Sequence, residues 1–354
     1  MASTLLIALA IFGAVNTAPA QLQWRLSAKY FSDAFGNLPT AGQGLGSRVE
    51  LTNHVNAANA LLQRAGRGYQ IVLTEVVTLR GLSQWFDLDA RSQANKQALE
   101  TEAVGNPSLY LWRPEAINVY INDSSSGYCS GPSSGNLIFL GQQQAGGSNG
   151  VPTLLHEIGH FFNLCHTHGC QCGDCGPDFD CDAGTRSDEV PDTLQDSACW
   201  IRDQVAVNNF NGRHYDQLND GQRAEVDLTY QNVMSYHADT ALPDYLLTED
   251  QLDRMTDASN GDRINVANGR TWFVDDKCIG LFRNGTSQCG TFSGPFSELP
   301  DGISSAQTGD ILLMRTGTYT VRPNVPITKP MTLRASRGAA TIFGLVVDLG
   351  GGFP

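Results

Sequence analysis

Two histidines and a glutamate near the middle of the chain are the residues best suited to metal binding and catalysis. They belong to the segment His156-Glu157-Ile158-Gly159-His160. Residues four apart share one face of an α-helix, so both imidazoles can reach the same metal ion. Glu157 follows the first histidine and points in another direction, toward the open coordination position where a general base is needed. The pattern predicts a zinc site that activates water for hydrolysis.

A third histidine extends this motif. His166 lies six residues beyond His160, too far for a continuing helix to bring it to the same ion. The chain must therefore turn sharply between them, and Asn163 stands where the turn has to occur. Asn adopts the left-handed conformation more readily than most other non-glycine residues. We expect His166 to be the third zinc ligand and Asn163 to make the turn.

A second element, Asn232-Val233-Met234-Ser235-Tyr236, follows downstream. With the three-histidine segment, it resembles the metzincin zinc peptidases, and among them the pappalysin family with its relative ulilysin. The resemblance covers roughly residues 23–257. Metzincins usually have Gly where this chain has Asn163, and the insert after the histidines is unusually rich in cysteine. Neither departure removes a ligand or the base.

The resemblance implies an α+β fold, in which a twisted mixed sheet supports an active-site helix, and zinc endopeptidase activity. It implies that Met234 forms the turn beneath the metal. Tyr236 matches a tyrosine that in several metzincins can approach the metal and stabilise the oxyanion formed when water attacks the peptide carbonyl. The strand at 136–140 would be the edge strand that pairs with an extended peptide substrate.

The segment 187–193 resembles the pappalysin loop that takes part in calcium binding. Asp188, Asp192 and Thr193 are the candidate calcium ligands. A solvated acidic loop is the alternative interpretation.

Hydrophobic periodicity predicts the elements that must hold these residues in place. The expected strands span 23–31, 69–79, 116–121 and 137–140, and the expected helices span 49–65, 92–104, a segment from about 151, and 248–256. The stretch from 168 to about 230 has no clear periodicity and is interpreted as irregular.

Composition shifts divide the chain further. Residues 1–20 resemble a signal peptide, with a short apolar run before Ala18-Pro19-Ala20, so we expect a secreted protein. We assign 21–259 to the peptidase domain, 260–271 to a linker and 272–354 to a β-rich domain. The last resembles the opening coils of a parallel β-helix, for which more coils are expected beyond Pro354.

The number and spacing of the cysteines also favour a secreted protein. There are nine, and six of them lie between Cys165 and Cys199. Export favours disulfide bonds, although the odd number leaves one thiol free or paired between chains. A second zinc site at His168, Cys170, Cys172 and Cys175 is the alternative.

Charge and hydropathy exclude some classes of partner. The net charge is −13, so the surface should repel nucleic acid. After the N-terminal segment, no stretch is apolar and long enough to be a membrane span.

A competing hypothesis is a surface- or glycan-binding protein with a degenerate protease domain. A third is a zinc peptidase that acts on a glycoprotein, with the C-terminal segment binding glycan or cell wall.

Overall fold

The structure is a computed structural model, and it is described here for thirteen parts of the chain. These are residues 22–40, 45–90, 92–124, 127–129, 136–142, 153–167, 190, 192–196, 200–235, 246–277, 295–321, 327–335 and 340–343.

A five-stranded sheet carries the N-terminal half. Its strands are β1 (Leu22–Phe31), β2 (Tyr69–Leu79), β3 (Ile117–Asn122), β4 (Gly127–Cys129) and β5 (Leu137–Gly141). Their order is β2-β1-β3-β5-β4, and all neighbours are parallel except β4, which runs antiparallel to β5. The four strands expected from the sequence are confirmed.

The predicted position of the edge strand is wrong. β5, expected at the edge, lies between β3 and β4, and β4 forms the edge of the sheet. The prediction failed because β4 is only three residues long and lies in a Gly- and Ser-rich stretch without a strand-like pattern.

Side chains alternate between the two faces of the sheet along each strand, and each face packs against an apolar cluster. Ile117 and Val119 of β3 face one apolar cluster, while Tyr120 faces the other. The first cluster includes Leu154 and Ile158, which lie in the segment predicted as the metal-binding helix. The sheet therefore provides an apolar surface that holds that helix.

Eight helices occur in the described residues. They are α1 (Arg48–Arg64), α2 (Gln93–Gly105), α3 (Pro107–Tyr110), α4 (Thr153–Phe161), α5 (Arg202–Asn209), α6 (Asp220–Tyr230), α7 (Glu249–Asn260) and α8 (Leu299–Ser305). The predicted helices match α1, α2, α4 and α7. None of the eight combines the length and apolarity that crossing a membrane requires. The mixed architecture confirms the α+β expectation.

The interpretation of 168–230 as irregular is wrong for its second half, which contains α5 and α6. These helices are mostly polar and share a small cluster formed by Val205, Ala206, Leu218 and Val226. A signal was present in the sequence: Asn219 and Gln222 form a capping box at the start of α6.

The residues after α7 form two short parallel sheets. One contains β6 (Thr271–Val274), β7 (Ile311–Met314) and β9 (Thr332–Ala335), and the other contains β8 (Gly317–Thr320) and β10 (Ala340–Phe343). A β-helix stays a prediction, as does the division of the chain into domains.

The stretch predicted as a linker, 260–271, is packed against the rest of the protein. Val266 and Ala267 belong to the main apolar cluster, as does Ile311 of β7. The Arg263 guanidinium is buried, donates to the carbonyl oxygen of Phe161 at the end of α4 (3.0 Å), and lies over the Phe161 ring. These residues therefore support the helix that carries the first two histidines.

Candidate metal centre

Helix α4 places His156 and His160 on one face. Its apolar side chains Leu154, Leu155 and Ile158 are fully buried against the sheet and fix the rotation of the helix. The ring nitrogens Nε2 of the two histidines lie 3.1 Å apart. As helix geometry predicts, the spacing of four residues brings the two Nε2 atoms close together.

The chain leaves α4 through a left-handed residue. Asn163 has φ of 71°. Its N–H donates to the His160 carbonyl (2.9 Å), and the Leu164 N–H donates to the Gly159 carbonyl (2.9 Å). These two bonds define a Schellman motif, which satisfies the last carbonyls of the helix while reversing the chain. The reversal brings His166 back to the helix.

His166 completes a compact group of three. Its Nε2 lies 3.1 Å from Nε2 of His156 and 3.0 Å from Nε2 of His160. In the described part of the chain, this is the group of His, Cys, Asp or Glu residues that could hold a metal ion. Zinc–nitrogen bonds of about 2.0–2.1 Å at tetrahedral angles separate two ligand atoms by about 3.3 Å. The observed triangle fits such an ion with slight compression.

The outer nitrogens of the rings identify the tautomer. Nδ1 of His156 lies 2.7 Å from the Val233 carbonyl oxygen, and Nδ1 of His160 lies 2.8 Å from the Leu164 carbonyl oxygen. A carbonyl oxygen only accepts, so both Nδ1 atoms must carry the proton. The Nε2 lone pairs then face one another, an arrangement that a shared cation stabilises. Carbonyl partners of this kind orient the ligands of metal sites.

The protonation state of His156 also suits a metal ligand. Burial lowers its pKa to about 4, although the bond to the Val233 carbonyl acts in the opposite direction. The imidazole is therefore neutral near neutral pH, as metal binding requires.

Glu157 follows His156 in α4 and is buried, with only 7% of the residue exposed. Removing a carboxylate from water is costly unless opposite charge or hydrogen-bond donors compensate. A divalent cation held by three neutral imidazoles would bring positive charge into the same site. The donor set and the buried carboxylate together fit zinc.

Two further contacts fix the segment that carries the third histidine. The N–H of Thr167, the next residue after His166, donates to the Met234 carbonyl (3.2 Å). Its hydroxyl donates to the fully buried carboxylate of Asp196 (2.8 Å). Met234 itself has no exposed surface and packs beneath α4. The methionine turn thus contacts both helix α4 and the segment that carries His166.

The other candidate residues divide into two groups. Tyr236 and Asp188 lie outside the described residues, so their predicted roles are untested. Asp192 accepts a hydrogen bond from the Asp250 N–H at the start of α7 (2.9 Å), and the buried Thr193 donates to the Val190 carbonyl (3.2 Å). Neither residue joins the histidines, and calcium binding by them stays a prediction.

The carbonyls of Val233 and Leu164 were not foreseen. They orient His156 and His160, yet a backbone carbonyl has no side-chain signature that a sequence could reveal. Gly159 was not foreseen either, although a glycine inside a helix usually marks close packing.

Comparison with known proteins places this site in a family. Residues 110–260 match the family model of peptidase family M43, described as pregnancy-associated plasma protein-A. No curated protein matches the chain. The sheet, the helix and the histidine site define a metzincin-type metallopeptidase. The match supports a pappalysin-type metzincin domain at residues 110–260, and such a domain implies a zinc metallopeptidase that binds peptide substrates.

Proposed function

We propose that the protein is a zinc endopeptidase in which His156, His160 and His166 hold the ion and Glu157 is the general base. The observation that supports this most directly is the triangle of Nε2 atoms, 3.0–3.1 Å apart. Bound zinc would supply the Lewis acidity that makes water a nucleophile near neutral pH and polarises a peptide carbonyl.

The residues of the chain perform the remaining work. Glu157 accepts a proton from the attacking water on its carboxylate and delivers it to the nitrogen of the leaving amine. His156 and His160 stay fixed during this transfer because their Nδ1–H groups donate to backbone carbonyls. Tyr236 is proposed to donate its hydroxyl proton in a hydrogen bond to the oxyanion.

Substrate binding is proposed at the edge of the sheet. β4 is the edge strand beside β5 in the order of the sheet, and an extended peptide can add to such an edge through backbone hydrogen bonds. Recognition through the backbone does not require a free chain end, which favours cleavage within a chain. The proposed substrate is therefore an unfolded segment or an exposed loop.

The alternative, a surface- or glycan-binding protein with an inactive peptidase domain, requires an incomplete site. The three histidines converge, and the buried Glu157 follows the first of them in the chain, so the active enzyme is the better proposal. Contact between the C-terminal segment and a glycan or cell surface stays a prediction.

We also propose that the protein is exported, with 1–20 as the signal and with disulfide bonds in the cysteine-rich insert. Apart from Cys129 and Cys165, the cysteines lie outside the described residues. The apolar N-terminal segment, the number of cysteines and the low fraction of charged residues, 17%, support export.

The test is digestion of a proteome-derived peptide library, with and without a metal chelator. We expect cleavage at internal bonds, its loss on chelation, and its recovery when zinc is added. Glu157→Gln removes the base but not the ligands, so it should bind zinc and lower kcat at least a hundredfold, within the range for a general base. A Glu157→Gln variant that cleaves at the wild-type rate would refute the assignment.

A further inference from the structure

Two buried amide side chains connect the methionine turn to helix α7. Nδ2 of Asn232 donates to Oε1 of Gln251 (2.8 Å), and Nε2 of Gln251 donates to Oδ1 of Asn232 (3.1 Å). Both residues are 1% exposed. Two amides that each donate and accept hold each other in a single orientation.

On one side, this pair fixes the turn. Oδ1 of Asn232 also accepts a hydrogen bond from the Met234 N–H (2.9 Å). The residue between them, Val233, donates its N–H to the Leu246 carbonyl (2.9 Å) and presents its own carbonyl to Nδ1 of His156. The position of the carbonyl that orients His156 therefore depends on the Asn232 side chain.

On the other side, the pair is attached to the start of α7. Gln251 is the third residue of that helix and forms a capping box with Thr248. Its Oε1 accepts from the Thr248 N–H (3.0 Å), and its backbone N–H donates to the Thr248 hydroxyl (3.2 Å). The helix cap thus determines which way the Gln251 amide faces.

We infer that Gln251 is a positioning residue of the zinc site. Acting through Asn232 and the Val233 carbonyl, it holds the His156 ring at the angle that metal binding needs. The inference rests on the proposed function only in taking His156 as a zinc ligand. A glutamine that served the helix cap alone would have no effect on the metal.

The substitution Gln251→Glu separates these two roles. A carboxylate oxygen still accepts from Thr248 and from Nδ2 of Asn232, so the capping box survives. The bond from Nε2 to Asn232 is lost, and a second carboxylate oxygen faces Oδ1 of Asn232 instead. The change therefore acts mainly on the connection to the methionine turn.

Helix α6 offers a matched control. Gln222 is the third residue of that helix and forms the same kind of capping box with Asn219, at 3.2 and 2.9 Å. It makes no such connection to the metal site among the described contacts. Gln222→Glu therefore makes the same substitution at the same cap position, at a half-buried rather than a buried site.

The experiment measures zinc affinity by competition with a chromogenic chelator, with thermal unfolding followed in parallel. We expect Gln251→Glu to weaken zinc binding about tenfold, since loss of a supporting partner costs about 10–100-fold in metal sites. We expect kcat to fall with KM nearly unchanged, and Gln222→Glu to bind zinc within twofold of the wild type.

Wild-type zinc affinity in a folded Gln251→Glu protein would overturn the inference, even if its Tm were lowered. If that variant does not fold, Asn232→Asp deletes the opposite donor and should weaken zinc binding to the same degree. Unchanged affinity there, or failure of both variants to fold, would also overturn it. His156→Gln measured alongside tests the proposed function separately, because it should abolish tight binding whatever Gln251 does.

Discussion

The sulfur of Met234 packs directly against Cα of Gly159, inside the zinc-binding motif. A Cβ added to Gly159 would lie 2.5 Å from Sδ of Met234 and 3.3 Å from Cδ1 of Leu164. Real side-chain atoms do not approach this closely, so a larger residue here would displace the methionine turn or the helix. Met234 can therefore pack against α4 only because residue 159 is a glycine.

The first prediction follows from this contact. Gly159→Ala should destabilise the protein by about 1–3 kcal/mol, as overpacking of a core does. It should also weaken zinc binding, because the helix carries two ligands. Urea denaturation and chelator competition measure the two effects.

Gly105→Ala, at the end of α2, is the matched control. An added Cβ meets nothing within 4 Å there, so stability should stay the same or rise by up to about 1 kcal/mol. A Gly159→Ala protein as stable and as tightly zinc-bound as the wild type would show that the contact is not constraining.

A second prediction concerns Asn163. Asn163→Gly should be tolerated or slightly stabilising, because glycine adopts positive φ without steric cost. Asn163→Val should cost about 1–3 kcal/mol, since a β-branched residue is strained there. Asn163→Val should also weaken zinc binding, because the turn returns His166 to the site.

Asn211 provides the control for backbone strain alone, with φ of 55° in the exposed turn after α5. Asn211→Val should lower stability as Asn163→Val does but leave zinc affinity intact. Equal zinc affinity in the two valine variants would contradict the proposed role of the Asn163 turn.

A third prediction is a pH dependence that arises away from the metal. Lys29 has no exposed surface, and burial lowers its pKa to about 7 while the charge of Glu75 opposes the shift. Its Nζ lies near Oδ1 of Asn118 (2.5 Å) and over the Tyr120 ring. The unfolded chain binds this proton more strongly than the folded protein does between about pH 7 and 10.

The free energy of unfolding should therefore rise with pH in that window, by at most about 1.4 kcal/mol per pH unit from this group. Above about pH 10, the raised pKa values of buried tyrosines such as Tyr120 act in the opposite direction. Urea denaturation at pH 7, 8 and 9 of the wild type and Lys29→Met measures the effect. A wild-type slope that persists in Lys29→Met would assign the dependence to other groups.

The sequence predicted the parts of the site that follow from periodic geometry. The spacing of His156 and His160 requires only a helix, and the demand for a reversal before His166 made Asn163 the natural place for positive φ. Strong hydrophobic periodicity likewise predicted the central strands and α4. These features depend on the short-range geometry of helices, strands and turns, which tertiary contacts do not change here.

The parts that were missed depend on tertiary contacts. β4 forms a strand because β5 offers it a partner, and α5 is a polar helix held by a small separate cluster. The Val233 carbonyl gains its role only when the turn folds against α4. Nothing in the local sequence near these residues indicates such a partner.

X-ray absorption at the zinc edge of the loaded protein tests the central claim most directly. We predict one zinc per chain with three imidazole nitrogens and one oxygen at about 2.0–2.1 Å, and loss of bound zinc in His166→Gln. A first shell containing sulfur at about 2.3 Å would show that cysteines hold the metal and would contradict the histidine site.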